Sequence, residues 1–416
     1  MVHILKALIG KHEGRLNQSW VFDLGASLLC GPTVIDVNND GHEEILIATK
    51  KGSIVLLDAD AKQKWVFEIN EKINDVDLMF MDAESFNSIS TPPRIADINR
   101  DGKKEIIFGT ELGIVYVLGA DGKELWKFEA DGAVRGGVAI ADVDKDGKPE
   151  LIFGSDDNKL YIISNKGNLL WSFNANTGIQ STPAVSERLG IIVFGDDQGK
   201  VNCVTFDRKL AWSFKTDAKI TAEAVIQDLA GEKAESIIIG STDNNLYCLD
   251  CNGNMKWVFK TQGAIISKAL VYDINRDGKY EIFIGSCDNN VYALYYNGEK
   301  IWSFETNFWI VASPIAVDID NDGSEEIVIG SYDHNIYVFD SEGKYILENI
   351  PGLSNVIHQA GHYADVQTQD MGENIGKKLW QFTTEGLVVG LDCLKSTKSI
   401  IVHTQTGKVI NIRHES

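Results

Sequence analysis

Residues 272–286 read YDINRDGKYEIFIGS, and the spacing of their polar side chains returns throughout the chain. Asp273, Asn275, Asp277 and Glu281 hold positions 1, 3, 5 and 9 of a loop with glycine at position 6, which runs straight into an apolar stretch. The pattern recurs at Asp36, Asn38, Asp40 and Glu44, and again at Asp97, Asn99, Asp101 and Glu105. It recurs once more at Asp142, Asp144, Asp146 and Glu150, and at Asp318, Asp320, Asp322 and Glu326. A glycine closes the apolar stretch at Gly109, Gly154, Gly195, Gly240, Gly285 and Gly330, in steps of 45 residues with a single step of 41. Tryptophan keeps similar time at Trp65, Trp126, Trp171, Trp212, Trp257 and Trp302, with Trp20 before the series and Trp380 after it.

Residues 266–306 display one whole unit. ISKALVYDI leads into the acidic loop, then come YEIFIGS, a CDNN turn, VYALYY, an NGEK turn and IWSFET. The runs are rich in β-branched and aromatic residues, and the breaks carry Asn, Asp and Gly, which tolerate turn geometry. Four short antiparallel strands per ~40–45 residues is the period of propeller blades. A blade cannot cover its own apolar faces, so blades pack side by side around an axis. Seven such units begin near residues 32, 92, 137, 182, 223, 268 and 313. The segment at 387–412 lacks a tryptophan strand, and RLNQSWVFDL at 15–24 is a tryptophan strand without a blade. Joining the two predicts an all-β, eight-bladed propeller of four-stranded blades filling residues 1–416 as a single domain. Seven blades is the alternative, if the C-terminal unit is something else.

The DxNxDGxxE loop followed by an apolar strand and glycine resembles the FG-GAP (integrin-α-like, or VCBS) repeat. The tryptophan strand, as in GKELWKFEA and NGEKIWSFET, resembles the repeat of PQQ-like propellers. The resemblance implies a propeller with calcium in its acidic loops, and folds of this kind host many unrelated activities.

Hard oxygen donors at alternating positions, with glycine letting the backbone turn back, suit Ca²⁺. The backbone carbonyl at position 7 (His42, Lys103, Lys148, Lys279 or Ser324) is a further expected ligand. Three loops carry three carboxylates and two carry four, an arrangement that is unfavourable without a counter-ion. Up to five Ca²⁺ ions are therefore expected, one per complete loop. The fourth unit has lost its acids, the fifth has Ala230 and Ser236 at positions 3 and 9, and the eighth keeps only Asp392; no ion is expected in these three.

The net charge of −21 argues against phosphate-backbone binding, so no nucleic-acid partner is expected. No apolar run approaches the ~20 residues that span a bilayer. An N-terminal apolar patch interrupted by Lys6, together with six scattered cysteines, predicts a cytoplasmic protein. Extracellular residence is the alternative, because free calcium is scarce in cytoplasm. Cys248 and Cys251 lack the second pair that zinc would want, and His358, His362 and Asp365 read as surface or packing residues. Residues expected at the axial channel, including Arg135, Gln180, Glu223 and Lys268, form no nucleophile–base set. The adjacent Cys-Cys pair of quinone-dependent dehydrogenases is absent, which ranks an oxidoreductase last. Two insertions break the period, at about 71–90 and 344–376. The first carries Leu78, Met79, Phe80 and Met81, and Trp309 stands outside the tryptophan column on the same side. These five residues are the expected protein-binding surface of a non-enzymatic scaffold. A lectin-like protein or polysaccharide lyase with a glycan ligand is the rival expectation.

Overall fold

The computed structural model describes residues 14–71, 87–340 and 377–415. In them, 32 strands form eight separate four-stranded antiparallel sheets and no helix occurs. Blades 1 to 8, in chain order, begin at Thr33, Arg94, Ala139, Ala184, Val225, Leu270, Ile315 and Val388. Blade 6 is representative, with strands Leu270–Tyr272, Glu281–Gly285, Asn290–Leu294 and Lys300–Glu305 from the axis outward. Its second strand is buried along its whole length, because neighbouring blades cover both faces. This explains why these strands read as continuous apolar runs rather than as alternating patterns.

Packing between blades closes the ring. Each of eight apolar clusters draws on two consecutive blades. Leu46, Ile54 and Leu56 of blade 1 pack with Ile106, Phe108 and Tyr116 of blade 2, and Ile45, Ile47 and Val55 of blade 1 pack on their other face with Ile401 and Val409 of blade 8. The closing blade pairs Arg15–Asp23 antiparallel with Lys408–Glu415, from Arg15 opposite Glu415 to Asp23 opposite Lys408. The N-terminal tryptophan strand is thus the outer strand of the C-terminal blade, as the incomplete repeats at the two ends predict. Trp380 of blade 7 packs against His414 of this closing blade, with ring centroids 4.5 Å apart and planes tilted by 47°.

Both periodic residues serve blade-to-blade contact. A Cβ on Gly154, Gly195, Gly240 or Gly285 would lie within 2.4 Å of the Cγ2 of Ile179, Ile220, Ile265 or Ile310, each in the connector to the following blade. That isoleucine also donates its N–H back to the turn after the glycine, as Ile265 does to Ser241 O at 3.1 Å, while the preceding residue's carbonyl accepts from the next blade, as Ala264 O does from Cys287 N at 2.9 Å. The connector therefore stitches neighbouring blades by backbone bonds that only a close approach permits. Replacing Gly285 by alanine would push a methyl to 2.1 Å from Ile310. Gly285→Ala is expected to cost about 1–3 kcal/mol of unfolding free energy, read as a lower urea midpoint; an unchanged midpoint would refute the packing argument.

The tryptophans point the same way around the ring. The indole N–H of Trp20, Trp65, Trp212 and Trp257 donates to Ala59 O, Ala120 O, Cys251 O and Tyr296 O in the outer hairpin of the next blade, at 2.8–3.2 Å. In blades 1 to 7 the register of the two outer strands slips by one residue just before the tryptophan. The extra residue of this β-bulge is Lys64, Leu125, Leu170, Ala211, Lys256, Ile301 or Leu379 in turn, and a bulge re-aims the side chain it carries.

Candidate metal loops and the channel mouth

All five acidic loops join the first and second strands of a blade, and their position-9 glutamate opens the second strand. In blade 2, Asp101 N donates to Asp97 Oδ1 at 3.1 Å and to Asn99 Oδ1 at 2.8 Å, and Gly102 N donates to Asp97 Oδ2 at 2.9 Å. Ile98 N and Asn99 Nδ2 donate to the two carboxylate oxygens of Glu105, at 2.9 and 3.0 Å. In every loop the position-7 N–H (His42, Lys103, Lys148, Lys279 or Ser324) donates to the aspartate at position 5. Position 4 is left-handed throughout, at Asn39, Arg100, Lys145, Arg276 and Asn321, and so is the glycine at position 6. That glycine is favoured by φ rather than by space, since a Cβ on Gly41, Gly102, Gly278 or Gly323 would meet nothing within 4 Å.

Blade 5 separates what the turn needs from what the acids add. It keeps left-handed residues at the same two places, Gly231 and Lys233, and the N–H bonds to Asp228, with Ala230 and Ser236 at positions 3 and 9. The Asn or Asp at position 3 and the glutamate at position 9 in the other loops are therefore not required to make the turn.

The loops differ in how well their oxygens converge. Asp142, Asp144 and Asp146 of blade 3, and Asp318, Asp320 and Glu326 of blade 7, each place ligand oxygens within 4.8 Å of one another. Among the described residues, Asp142 Oδ1 and Asp318 Oδ1 are buried without a hydrogen-bond partner. Burial, reinforced by the neighbouring aspartates, pushes the Glu326 carboxyl up to about 8, Glu150 to about 7 and Glu281 to about 6, and raises Glu105 as well. A carboxylate raised in this way lacks compensating positive charge. The donor set is all oxygen, which suits a hard cation.

At the opposite ends of the strands lies the mouth of the axial channel. A cavity of about 460 Å³ is lined by the innermost strands of blades 2 to 5 and by Lys268, just before that of blade 6. Within it Glu223 receives Arg94 at 2.6 Å and Lys268 at 2.5 Å. Arg135 bridges Glu111, at 2.8 Å, and Asp156, while Gln180 Nε2 donates to Asp197 at 3.2 Å. The predicted channel residues Arg135, Gln180, Glu223 and Lys268 thus pair with other polar groups around the axis. They do not assemble a nucleophile with its base.

Trp309 is 47% exposed and stacks on Phe308, itself 46% exposed, with centroids 5.4 Å apart and planes 28° apart. The pair sits on the connector into blade 7. Its backbone is pinned by Tyr332 N to Trp309 O at 2.9 Å and by Ser331 Oγ to Phe308 O at 3.1 Å. Phe308 was not among the residues singled out in the sequence, although its place beside Trp309 was a readable signal. Leu78, Met79, Phe80 and Met81 lie outside the described residues, as do His358, His362 and Asp365. Cys248 is buried in a strand and Cys251 lies in the following turn, and both are free.

Residues 191–272 and 262–365 match the family model of the lambda-carrageenase β-propeller domain. No curated protein matches the chain. Among solved structures it is similar to BamB from Moraxella catarrhalis, at 14% identity over 96% of this chain and 97% of that one, with a TM-score of 0.63. It is also similar to the computationally designed Ika8 protein, at 13% identity over 94% and 98%, with a TM-score of 0.66. BBS1N, solved in complex with ARL6DN, aligns at 9% identity over 97% and 98%, with a TM-score of 0.56. At these identities the likeness is one of fold, and the fold is the eight-bladed β-propeller.

Proposed function

We propose that this protein is a non-enzymatic, calcium-braced propeller that docks a protein partner at the connector into blade 7. The observation that carries the docking is the exposed Phe308–Trp309 stack, held on a connector whose backbone is bonded to the blade beside it. Aromatic side chains fixed in this way offer large contact area at little entropic cost. BBS1N, a fold neighbour, was solved with a bound protein. Calcium is supported by the all-oxygen donor sets, by the orphaned oxygens of Asp142 and Asp318, and by the redundancy of the acids for turn formation. A bound ion would neutralise the clustered carboxylates and stiffen the turn between a blade's two inner strands.

The expected result is that wild type retains a partner in affinity capture while a Phe308→Ala, Trp309→Ala double variant of equal melting temperature loses it. Equal capture by both would exclude the aromatic pair. In parallel, chelator should lower the melting temperature and added calcium restore it; identical melting curves would remove the brace. Glycan binding is the second reading, favoured because the lambda-carrageenase propeller match spans the aromatic pair. Under it, the same double variant loses retention on a sulfated-galactan column.

A further inference from the structure

Lysine side chains reach three of these loops, and in two of them the lysine comes from the bulge. Lys64, the bulge residue of blade 1, places its ammonium on Glu44 Oε1, which also accepts from Asn38 Nδ2 at 3.1 Å, while Glu44 Oε2 accepts from Val37 N at 2.9 Å. Both oxygens of that glutamate are therefore engaged, and Glu44 is fully buried. Lys104 of the neighbouring blade adds a second ammonium at the backbone of the same loop, 2.5 Å from Asp36 O. Lys256, the bulge residue of blade 5, reaches Ser236 Oγ at 3.0 Å, at position 9 of the loop that keeps Asp228 but has serine in place of the glutamate. Lys64 and Lys256 hold the same register, one residue before the tryptophan. The bulge residue is apolar where the loop acids lack such a partner: Leu125 in blade 2, Leu170 in blade 3, Ile301 in blade 6 and Leu379 in blade 7.

We propose that Lys64 is a built-in cation that takes the place of the metal ion in blade 1, as Lys256 does in blade 5, so that the chain takes up calcium at blades 2, 3, 6 and 7 but not at blade 1. This rests on the reading of the acidic loops as calcium sites. The physical ground is local charge. In blade 1 three carboxylates face one lysine on the acid that would anchor the ion, and a second lysine bonds the backbone of the loop. In blade 3 none of the four carboxylates pairs with a lysine or arginine among the described residues, the Arg100 guanidinium lying instead beside Gly147, and affinity in oxygen-ligand sites follows ligand charge. Blade 7 has a lysine too, Lys398 on Asp318 Oδ2 at 2.5 Å, but Asp318 Oδ1 stays buried without a hydrogen-bond partner among the described residues.

Calorimetric titration of chelator-stripped full-length protein with CaCl₂ tests this. Asp40→Asn should leave the number of ions bound per chain unchanged, whereas Lys64→Met should raise it by one. Without calcium, Lys64→Met should melt below wild type and regain the difference when calcium is added. A loss of one ion in Asp40→Asn would overturn the proposal, since blade 1 would then be filled despite Lys64. An unchanged count in Lys64→Met would overturn it equally, because the lysine would not be what excludes the ion. No calcium uptake by any variant is a separate outcome, which removes the calcium reading itself.

Discussion

A chain lacking residues 1–23 should lose the cooperative melting that a chain lacking only residues 1–13 retains. The difference between the two is the strand Arg15–Asp23, which lies in eight residue pairs against Lys408–Glu415. At about 1 kcal/mol net per backbone hydrogen bond the ladder alone is worth several kcal/mol. Trp20 and Phe22 add apolar burial between blades 8 and 1, and Trp20 Nε1 bonds Ala59 O at 3.0 Å. Its loss also leaves Val409–Ile412, now buried, as part of an unpaired sheet edge, the kind of surface that recruits other chains. Calorimetry of the two truncations, with the peptide of residues 14–24 added to the shorter one, gives the answer. Restoration of the transition by the peptide would locate the effect in the strand. Melting of the two forms within about 2 °C of each other, a shift worth less than about 1 kcal/mol, would mean that the ring does not depend on its closure.

That closure was legible because the repeat is periodic. A missing tryptophan strand at one end and a spare one at the other leave a single way to complete eight equal units. The glycine and tryptophan periods were legible as periods but not as contacts. Nothing in one unit says that Gly285 makes room for Ile310 of the following connector, or that Trp257 donates to Tyr296 of the following blade. Both relations join units, and a repeat read singly shows only what lies within it. The acidic loops were legible at once because their donors lie within nine residues of one another. Lys64 was not, since it follows Glu44 by 20 residues and arrives through a bulge whose register only the strand pairing reveals. The channel groups behaved similarly: Glu223 and Lys268 were expected there, but Arg94, which arrives from blade 2, was not.

The least legible residue makes the other large effect. His403 sits in SIIVHT, where a lone histidine in an apolar strand gives no sign of its partner. The structure buries it completely between blades 8 and 1. Its Nδ1 lies 3.0 Å from Cys30 O, so the neutral ring carries its proton there and donates, while Nε2 has no partner among the described residues. Asn411, on the strand paired with that of His403, is likewise buried with both amide atoms unpartnered. Burial pushes the imidazole down from 6.5 to about 4, against the opposing pull of the Cys30 carbonyl. The unfolded chain therefore takes up the proton first. Stability from this group is complete above pH 6.5, falls by about 1.4 kcal/mol per pH unit as pH drops towards 4, and is flat below that. The full loss is about 3 kcal/mol. The raised glutamates of the acidic loops contribute with the opposite sign, because there the folded state holds the extra protons. The informative quantity is thus the difference between wild type and His403→Gln, measured by urea unfolding at constant calcium from pH 7 to 4.5. Wild type should lose about 2–3 kcal/mol relative to the variant across that range, and a difference independent of pH would show that His403 does not govern acid opening of the seam.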